Sequence, residues 1–180
     1  IPLLDKDQNK SIEIGKEIIN SFQEKFKIKW LSMMKKKFGF INDMQDDLKI
    51  INQFLNWMHL NKADYTNTFN HLIDDNFTND EIYKRDSFID IKKSWKERIK
   101  QNHIDKIHIK IMKFNNPTII PRNHIVEESL NDLIENNDFN KFRNLIEIIK
   151  KPYESKIDND FYKMPASLKF TSNYKTFCGT

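Results

Sequence analysis

Two segments of the chain hold residue types in spacings that could support binding or chemistry. In the first, Pro117 and Pro121 lie four residues apart, and Arg122, Asn123 and His124 follow at once. Proline fixes the backbone torsion φ and is favoured at the first position of a helix, so the pattern predicts a rigid connection into a helix that begins at Pro121. Side chains at such a helix start face the region before it, where they can bind a partner.

Two interpretations of these polar residues stay open on the sequence alone. In the first, Arg122 and Asn123 satisfy carbonyl groups of the preceding loop and of a neighbouring helix. In the second, the same residues contact another part of a longer protein. The chain begins with Ile1 and shows no secretion leader, so we expect it to be a piece of a longer protein.

The second segment is the end of the chain, where the single cysteine, Cys178, stands third from the C-terminus. A thiol near a chain end is either incidental or a group that reacts or pairs where the tail binds. One cysteine cannot form a disulfide within the chain, so secretion would give the fold no such crosslink. We therefore expect a reducing compartment, the cytoplasm.

The remaining polar clusters do not predict a site. On a helix the adjacent carboxylates Asp46-Asp47, Asp74-Asp75 and Glu127-Glu128 diverge by about 100°, and we expect them at helix starts and on solvated faces. The three glycines form no phosphate-binding loop, and no two of the five histidines have the i, i+4 spacing of helical zinc sites. We therefore predict that these residues bind no metal and no nucleotide. The histidines are His59, His71, His103, His108 and His124.

Four sequence blocks, taken in order, resemble the C-terminal region of the selenoprotein O family, which includes the bacterial YdiU-like proteins. Residues 116–127 match the family pattern Asn-Pro-x-x-Ile-Pro-Arg-Asn-His-x-Val-Glu, and residues 62–69 are similar to its Ala-Asp-(Tyr/Phe)-Thr-x-x-Phe block. Lys151-Pro152-Tyr153 and the terminal Cys178-Gly179-Thr180 occupy the places of two further family elements. The resemblance in order and spacing runs from about Trp30 to Thr180.

The resemblance implies a function for a longer parent protein. Members of this family have a protein-kinase-like (pseudokinase) fold, bind ATP in an inverted orientation and, with a divalent metal, transfer AMP to Ser, Thr and Tyr hydroxyls of other proteins. The resemblance places ATP, Mg or Mn and the catalytic residues upstream of this chain, so no catalytic, cofactor-binding or metal residue is assigned here. Implied partners are that N-terminal catalytic part and the protein substrates. In a eukaryotic source, the implied location is mitochondrial.

The resemblance also singles out candidate site residues. Cys178 falls where family members carry cysteine or selenocysteine, which makes it a redox or regulatory candidate. One hypothesis is that a disulfide from Cys178 to a cysteine near the upstream active site holds the tail and gates substrate access. The other candidates form a family signature whose role is unassigned: Asn116, Pro117, Pro121, Arg122, Asn123 and His124.

Charge and hydropathy argue against two classes of partner. Thirty basic and 26 acidic residues give a formal charge of +4, and the signs are interspersed. The one tight cluster, Lys35-Lys36-Lys37, falls at a predicted helix end, where solvated cations complement the helix dipole, so we predict no nucleic-acid binding. Charged and polar residues interrupt every apolar run before the roughly 18 residues that a membrane span needs, so we predict no membrane insertion. An alternative function is a free-standing α-helical module that binds a protein, although no repeat of about 34 or 40 residues recurs.

The spacing of apolar residues predicts a mainly α-helical fold, which the resemblance makes a multi-helix C-terminal segment of the kinase-like fold. A long first helix, with Ser11 as its N-cap, would end before Gly39. Further helices are predicted after Asn42, after Asp64 or Thr66 and from Ser87, with capping-box spacing at Thr78 and Glu81. The inward residues of the first helix would be Ile18, Ile19, Phe22, Phe26, Trp30, Met33, Met34 and Phe38. Those of the others would be Leu48, Ile51, Phe54, Leu55, Met58, Phe69, Leu72, Phe88, Ile91, Trp95 and Ile99.

Three more helices are predicted in the second half of the chain. They run through residues 107–112, from Pro121 to Asn136, and over residues 139–149 before Pro152. Residues 108–111 could instead form a strand, but no partner strand is near in sequence. The inward residues would be Ile125, Val126, Leu130, Leu133, Ile134, Phe139, Phe142, Leu145, Ile146 and Ile149. We predict an α-helical domain over residues 1–154 and an extended tail over residues 155–180.

Overall fold

The structure is a computed structural model of the protein and describes residues 3–101, 106–154 and 160–175. Within these ranges the chain forms helices joined by turns and loops, and no strand occurs. The prediction of a mainly α-helical fold is therefore confirmed, and residues 108–111 are helical. The helices are α1 (Gln8–Lys37), α2 (Asp47–Asn61), α3 (Tyr65–Ile73), α4 (Asp86–Lys100), α5 (Ile107–Asn115), α6 (Asn123–Asn136), α7 (Asn140–Ile149), α8 (Asp160–Lys163) and α9 (Leu168–Asn173), with a 3-10 helix at Glu81–Lys84.

Helix α1 is 30 residues long, and different residues set its two ends. Its N-cap is Asp7, whose carboxylate accepts a hydrogen bond from the backbone N–H of Asn9 at 2.8 Å. The predicted cap, Ser11, is wrong, since it lies buried inside the first turns of the helix. Gly39 ends the helix as predicted: its φ is 73°, and a Cβ atom there would lie 2.9 Å from Cγ of Met112. Both the backbone conformation and the packing therefore favour glycine.

The main hydrophobic cluster lies between the C-terminal end of α1 and helices α2 to α5. Phe38 is at its centre, with the rings of Phe54 and Phe69 at 5.2 and 4.9 Å and its carbonyl accepting from Nε1 of Trp95 at 2.9 Å. Most of the predicted inward residues of α2, α3 and α4 are buried, but Leu48 is 45% exposed and was predicted wrongly. The buried members are Met34, Phe38, Phe40, Ile50, Ile51, Phe54, Trp57, Met58, Phe69, Leu72, Ile82, Tyr83, Phe88, Trp95, Ile99 and Met112.

The middle of α1, between Ile18 and Met33, exposes most of the apolar face that was predicted to be inward. Phe22 and Phe26 are 66% and 55% exposed, and Ile18, Ile19 and Met33 are exposed with them. We call these five residues the apolar stripe. The prediction of burial is wrong for these five residues because, among the described residues, the main cluster meets α1 near its C-terminal end, through Trp30, Leu31, Met34 and Phe38.

Helices α6 and α7 pack against each other around a second, smaller cluster, formed by Ile119, Ile125, Leu145 and Tyr162. The chain turns between the two helices at Asn137, whose φ is 52°. Two residues predicted to be inward, Ile134 and Phe139, are 78% and 43% exposed, so this part of the prediction is wrong. They lie near the turn that connects α6 to α7, away from the cluster. Helix α7 ends before Pro152, as predicted.

Three helix starts show which capping residues the chain uses. Asp64 caps α3, as one of the two predicted alternatives. The 3-10 helix is capped by Asp80, which accepts from the backbone N–H of Ile82 at 3.0 Å, so the capping box predicted from Thr78 does not form. Helix α4 begins one residue before the predicted start at Ser87.

The tail contains two short helices where an extended chain was predicted. Helices α8 and α9 have four and six residues, and Tyr162 of α8 is buried in the second cluster. The tail has too few apolar residues at three- and four-residue spacing for helices to be predicted there. The domain boundary at residue 154 remains a prediction. Among the described helices, none has the length and hydropathy that crossing a membrane requires.

Candidate functional site

Two of the sequence blocks, residues 62–69 and 116–127, meet where α3 and α6 begin. The guanidinium group of Arg122 donates two hydrogen bonds to the carboxylate of Asp64, at 2.7 and 3.0 Å, and a third to Oδ1 of Asn67 at 3.1 Å. Side chains of Arg122 and Asp64 are 8% and 17% exposed. Such a paired geometry matches the two donors of a guanidinium to the two oxygens of a carboxylate. We call Asp64, Asn67 and Arg122 the motif junction.

Asp64 has a double role, because it also starts α3. Its Oδ1 accepts from the backbone N–H of Asn67 at 2.8 Å, and its carbonyl accepts from Oγ1 of Thr68 at 2.7 Å. Aspartate is a favoured N-cap, so this half of the junction follows from local sequence. The partner of Arg122 was not predicted: the guanidinium bonds to side chains of α3, and not to carbonyl groups of the preceding loop.

Asn116 joins the ends of α1 and α5. It is 2% exposed, and its Nδ2 donates to the carbonyls of Lys37 and Met112, each at 2.9 Å. In return, Nζ of Lys37 donates to Oδ1 of Asn116 at 3.3 Å. Lys37 is half-buried, and burial lowers its pKa, so the prediction of a solvated lysine cluster is wrong for this residue.

The segment after Asn116 is held on both sides by hydrogen bonds. The carbonyl of Pro117 accepts from Nδ2 of Asn70 at 2.8 Å, and the backbone N–H groups of Thr118 and Ile119 donate to the carbonyl of Pro152 at 2.6 and 3.4 Å. The Pro152 block therefore lies against the Asn116 block. These bonds account for the fixed connection that the proline spacing predicts.

Pro121 and Asn123 do not contribute to the junction. Helix α6 begins at Asn123 with Arg122 as its N-cap, so Pro121 precedes the helix and does not occupy its first position. The prediction of that position is wrong because Arg122 has an extended backbone, with φ of −86° and ψ of 131°. Pro121 and Asn123 are both exposed.

His124 lies between α6 and the tail. Its ring centre is 5.8 Å from that of Phe170 in an edge-to-face arrangement. Burial lowers the pKa of His124, and the neighbouring Arg122 charge lowers it further, so the neutral imidazole is favoured. Neither ring nitrogen has a hydrogen-bond partner among the residues that the structure describes. This histidine therefore packs as a ring in the structure, without a charged partner.

Two buried polar arrangements were missed by the sequence analysis. Asp47, predicted at a helix start or on a solvated face, begins α2 but is only 1% exposed, and it accepts from Nε of Arg98 at 2.6 Å. A usable signal was present, because Arg98 lies between Trp95 and Ile99 on the predicted inward face of α4. The second arrangement is Tyr83, whose hydroxyl lies 3.2 Å from Oγ1 of Thr68 and whose pKa burial raises to about 12.

Among the described residues, these polar side chains form hydrogen bonds that connect one segment of the chain to another. The charged groups of the motif junction bond to one another, and a cleft of about 520 Å³ beside them is lined by residues of α3, α6 and the tail. Within residues 3–101, 106–154 and 160–175, no group of three or more His, Cys, Asp or Glu side chains is placed to hold a metal ion. Cys178 and His103 lie outside the described residues.

The fold and the junction define an all-helical protein segment whose sequence blocks are joined to one another in space. The family model for "Protein adenylyltransferase SelO" matches residues 6–150. The chain belongs to this family, as the resemblance of its blocks had indicated.

Relatives of this chain are named as nucleotidyltransferases. It is 36% identical to the protein nucleotidyltransferase YdiU of Bacillus cereus (strain G9842) over 181 residues, and 37% identical to that of Pelagibacter ubique (strain HTCC1062) over 182 residues. The protein of the same name from Clostridium botulinum (strain Eklund 17B / Type B) is 35% identical over 182 residues. Each alignment covers 100% of this chain and 37% of the relative, so the chain spans about 37% of the length of these relatives.

Proposed function

We propose that this chain is the helical C-terminal part of a protein adenylyltransferase with a kinase-like fold. The parent protein transfers AMP from ATP to Ser, Thr and Tyr hydroxyls of other proteins. The observation that carries this proposal is the family match over residues 6–150. The chain spans about 37% of the length of its YdiU relatives. The family resemblance implies that ATP, Mg or Mn and the catalytic residues belong to a part upstream of the matched region.

The role proposed for the described residues is to support that catalytic part. Their polar groups are engaged in holding helices together, as the pairs Asp64 with Arg122 and Asp47 with Arg98 illustrate. The three glycines of the chain are far apart in sequence and form no phosphate-binding loop. Buried ion pairs and the absence of a glycine-rich loop from the sequence are consistent with a segment that supports the catalytic part by providing a rigid surface.

The apolar stripe is the surface proposed to contact the upstream part. It extends over 16 residues of α1 from Ile18 to Met33, and the 15 steps between them rise about 22 Å along the helix axis. Exposed apolar patches of this kind commonly mark an interface, since leaving large side chains in water forgoes the free energy of burial. The upstream part is the proposed occupant, because the matched sequence is only 37% of each relative and the rest of the relative belongs to the same polypeptide.

The experiment measures transfer of labelled AMP from ATP to protein by the intact parent protein. The test variant is Ile18→Asp with Phe22→Asp, which puts two charges into the stripe. The matched control is Ile134→Asp, which changes a residue of the same type that is 78% exposed on α6. We expect at least about a tenfold loss of transfer in the test variant and little change in the control.

The possible outcomes separate the two parts of the proposal. Absence of AMP transfer by the wild-type protein would contradict the adenylyltransferase function. Equal transfer by wild type, test variant and control would instead leave that function in place and remove the stripe from the interface. If the wild type transfers no AMP while the test variant alone loses binding to a separate protein, the alternative of a free-standing interaction module is favoured.

A redox role for Cys178 is also proposed, on the resemblance alone. In this proposal the thiols of Cys178 and of a cysteine in the upstream part form a disulfide by exchange with a disulfide oxidant such as oxidised glutathione, which is reduced to its two thiols, so that the tail is held near the active site. Unchanged AMP transfer after reduction, and in Cys178→Ser, would contradict it. The proposed location is the cytoplasm, or the mitochondrion in a eukaryotic source.

A further inference from the structure

The described part of the tail, residues 160–175, is held by residues of the two sequence blocks. Nδ2 of Asn67 donates to the carbonyl of Lys163 at 2.9 Å. The hydroxyl of Tyr174 donates to Oε1 of Glu127 at 3.3 Å, and the ring of Phe170 packs against His124. Three separate points along the tail therefore contact residues 62–69 or 116–127.

Asn67 is the residue that connects the tail to the buried ion pair. Its side chain is buried, with Oδ1 accepting from Arg122 and Nδ2 donating to Lys163. A guanidinium group carries only donors, so the amide must present its oxygen to Arg122 and its NH₂ group to the tail. The Asp64–Arg122 pair thereby fixes an amide donor in the position where a backbone carbonyl of the tail can accept.

A hydrophobic anchor adds to these polar contacts. Tyr162, one residue before Lys163, is 7% exposed and belongs to the cluster with Ile119 and Ile125. Ile119 lies between the two prolines of the signature, and Ile125 lies in the first turn of α6. The segment from Pro117 into the first turn of α6 therefore supplies both Arg122 and the apolar surface on which the tail packs.

The tail needs such contacts to be ordered. Helices α8 and α9 have four and six residues, far fewer than the roughly 12 to 15 that an isolated helix needs to be even marginally stable. Their conformation therefore depends on the surface beneath them.

We propose that the motif junction, together with His124 and Glu127, is the docking site for the tail of the same chain. In this role Arg122 and Asn67 are positioning residues: Arg122 orients the Asn67 amide, and Asn67 holds the tail at Lys163. The site sets where the described part of the tail ends, and Cys178 follows Tyr174 by four residues in the sequence. Only the link between this docking and a redox role of Cys178 rests on the proposed function.

The experiment compares two asparagines in the intact protein. Asn67→Leu removes the amide that holds the tail. Asn61→Leu is the control, because Asn61, at the end of α2, also bonds through both ends of its amide, to the carbonyl of Trp57 at 3.0 Å and to Arg85 at 3.1 Å, and not to the tail. We expect amide hydrogen exchange of residues 160–175 to become about tenfold faster in Asn67→Leu and to change much less in Asn61→Leu.

A tail-side variant keeps the test decisive if Asn67→Leu does not fold. Phe170→Ala removes the ring contact with His124 and leaves the motif junction intact. We expect faster exchange of residues 160–175, easier tryptic cleavage after Lys163 and Lys169, and unchanged exchange in α2 and α4. Unchanged tail exchange in both variants, or equal acceleration in α2, α4 and the tail, would overturn the proposal. Because the measurement does not use AMP transfer, its failure is distinct from failure of the proposed function.

Discussion

The middle and the C-terminal end of helix α1 carry similar apolar residues in different surroundings. At the C-terminal end Phe38 is completely buried among aromatic rings of α2 and α3, whereas Phe22, four turns earlier, is 66% exposed. Both residues follow the same three- and four-residue spacing. Helical periodicity therefore identifies which face can be buried, while burial itself requires a second element packed on that face.

The largest effect is expected from Phe38→Ala at the enclosed end. Truncating a buried phenylalanine removes its burial and leaves a cavity, so the free energy of unfolding should fall by about 3–5 kcal/mol. Urea unfolding followed by circular dichroism measures this change. A loss below about 1 kcal/mol would show that the main cluster does not close around Phe38.

A smaller loss, about 2 kcal/mol, is expected from Arg98→Met, which removes the guanidinium partner of the buried carboxylate of Asp47 and leaves Nζ of Lys35, at 3.4 Å, as its remaining cation. The matched control is Lys141→Met, because Lys141 forms ion pairs with Glu128 and Asp132 on the exposed surface of α6 and α7. Exposed pairs contribute little, so no measurable change is expected in the control. Equal unfolding midpoints for the two variants would contradict the burial of Asp47.

An intermediate effect is expected from Gly39→Ala, which tests the turn that closes the enclosed end. The φ of 73° and the 2.9 Å approach to Met112 both oppose a Cβ atom, so the free energy of unfolding should fall by about 1–2 kcal/mol. Gly15→Ala is the control, since Gly15 lies within α1 and its added Cβ atom would meet only Leu4 at 3.8 Å. That variant should be neutral or stabilising.

A smaller effect is expected from acidification. Burial lowers the pKa of His71 and of His124 below the ordinary value of 6.5, with nearby Lys92 and Arg122, respectively, adding to the shift. The unfolded chain therefore binds more protons than the folded chain below about pH 6.5, so stability is full above this pH and decreases as pH falls toward the folded pKa values. Urea unfolding at several pH values measures the slope.

The control for the pH measurement removes one titrating ring. His124→Phe keeps an aromatic ring against Phe170 and should reduce the loss of stability on acidification. An unchanged slope in this variant would show that His124 does not contribute.

The smallest effect on stability is expected in the exposed apolar stripe of α1. Phe22→Ser changes a side chain that contacts little except Phe26, at 6.0 Å between ring centres, so the free energy of unfolding of the 180-residue chain should change by less than about 0.5 kcal/mol. The same variant should reduce binding of a hydrophobic dye by that chain. A large loss of stability would mean that the stripe is buried in solution.

Much of the helical architecture could be predicted from local sequence. The spacing of Phe54, Met58, Phe69, Phe88 and Trp95 placed these residues correctly in the core, and Gly39 and Pro152 marked helix ends. The candidate site was harder to predict from the sequence. The two blocks could be recognised as family signatures. The bond between Asp64 and Arg122, however, joins residues 58 positions apart, and the sequence of either block does not predict that it contacts the other.

The helical class, several helix bounds and the family could be predicted from the order of the residues, because these depend on periodicity, capping and motifs over short spans. The folded structure was needed to show that Asp64, Asn67 and Arg122 meet, that Asp47 is buried with Arg98, and that the stripe on α1 is exposed. Burial and ion pairing are set by which elements pack together. Those contacts bring together residues that are distant in sequence, and no local pattern encodes their distances.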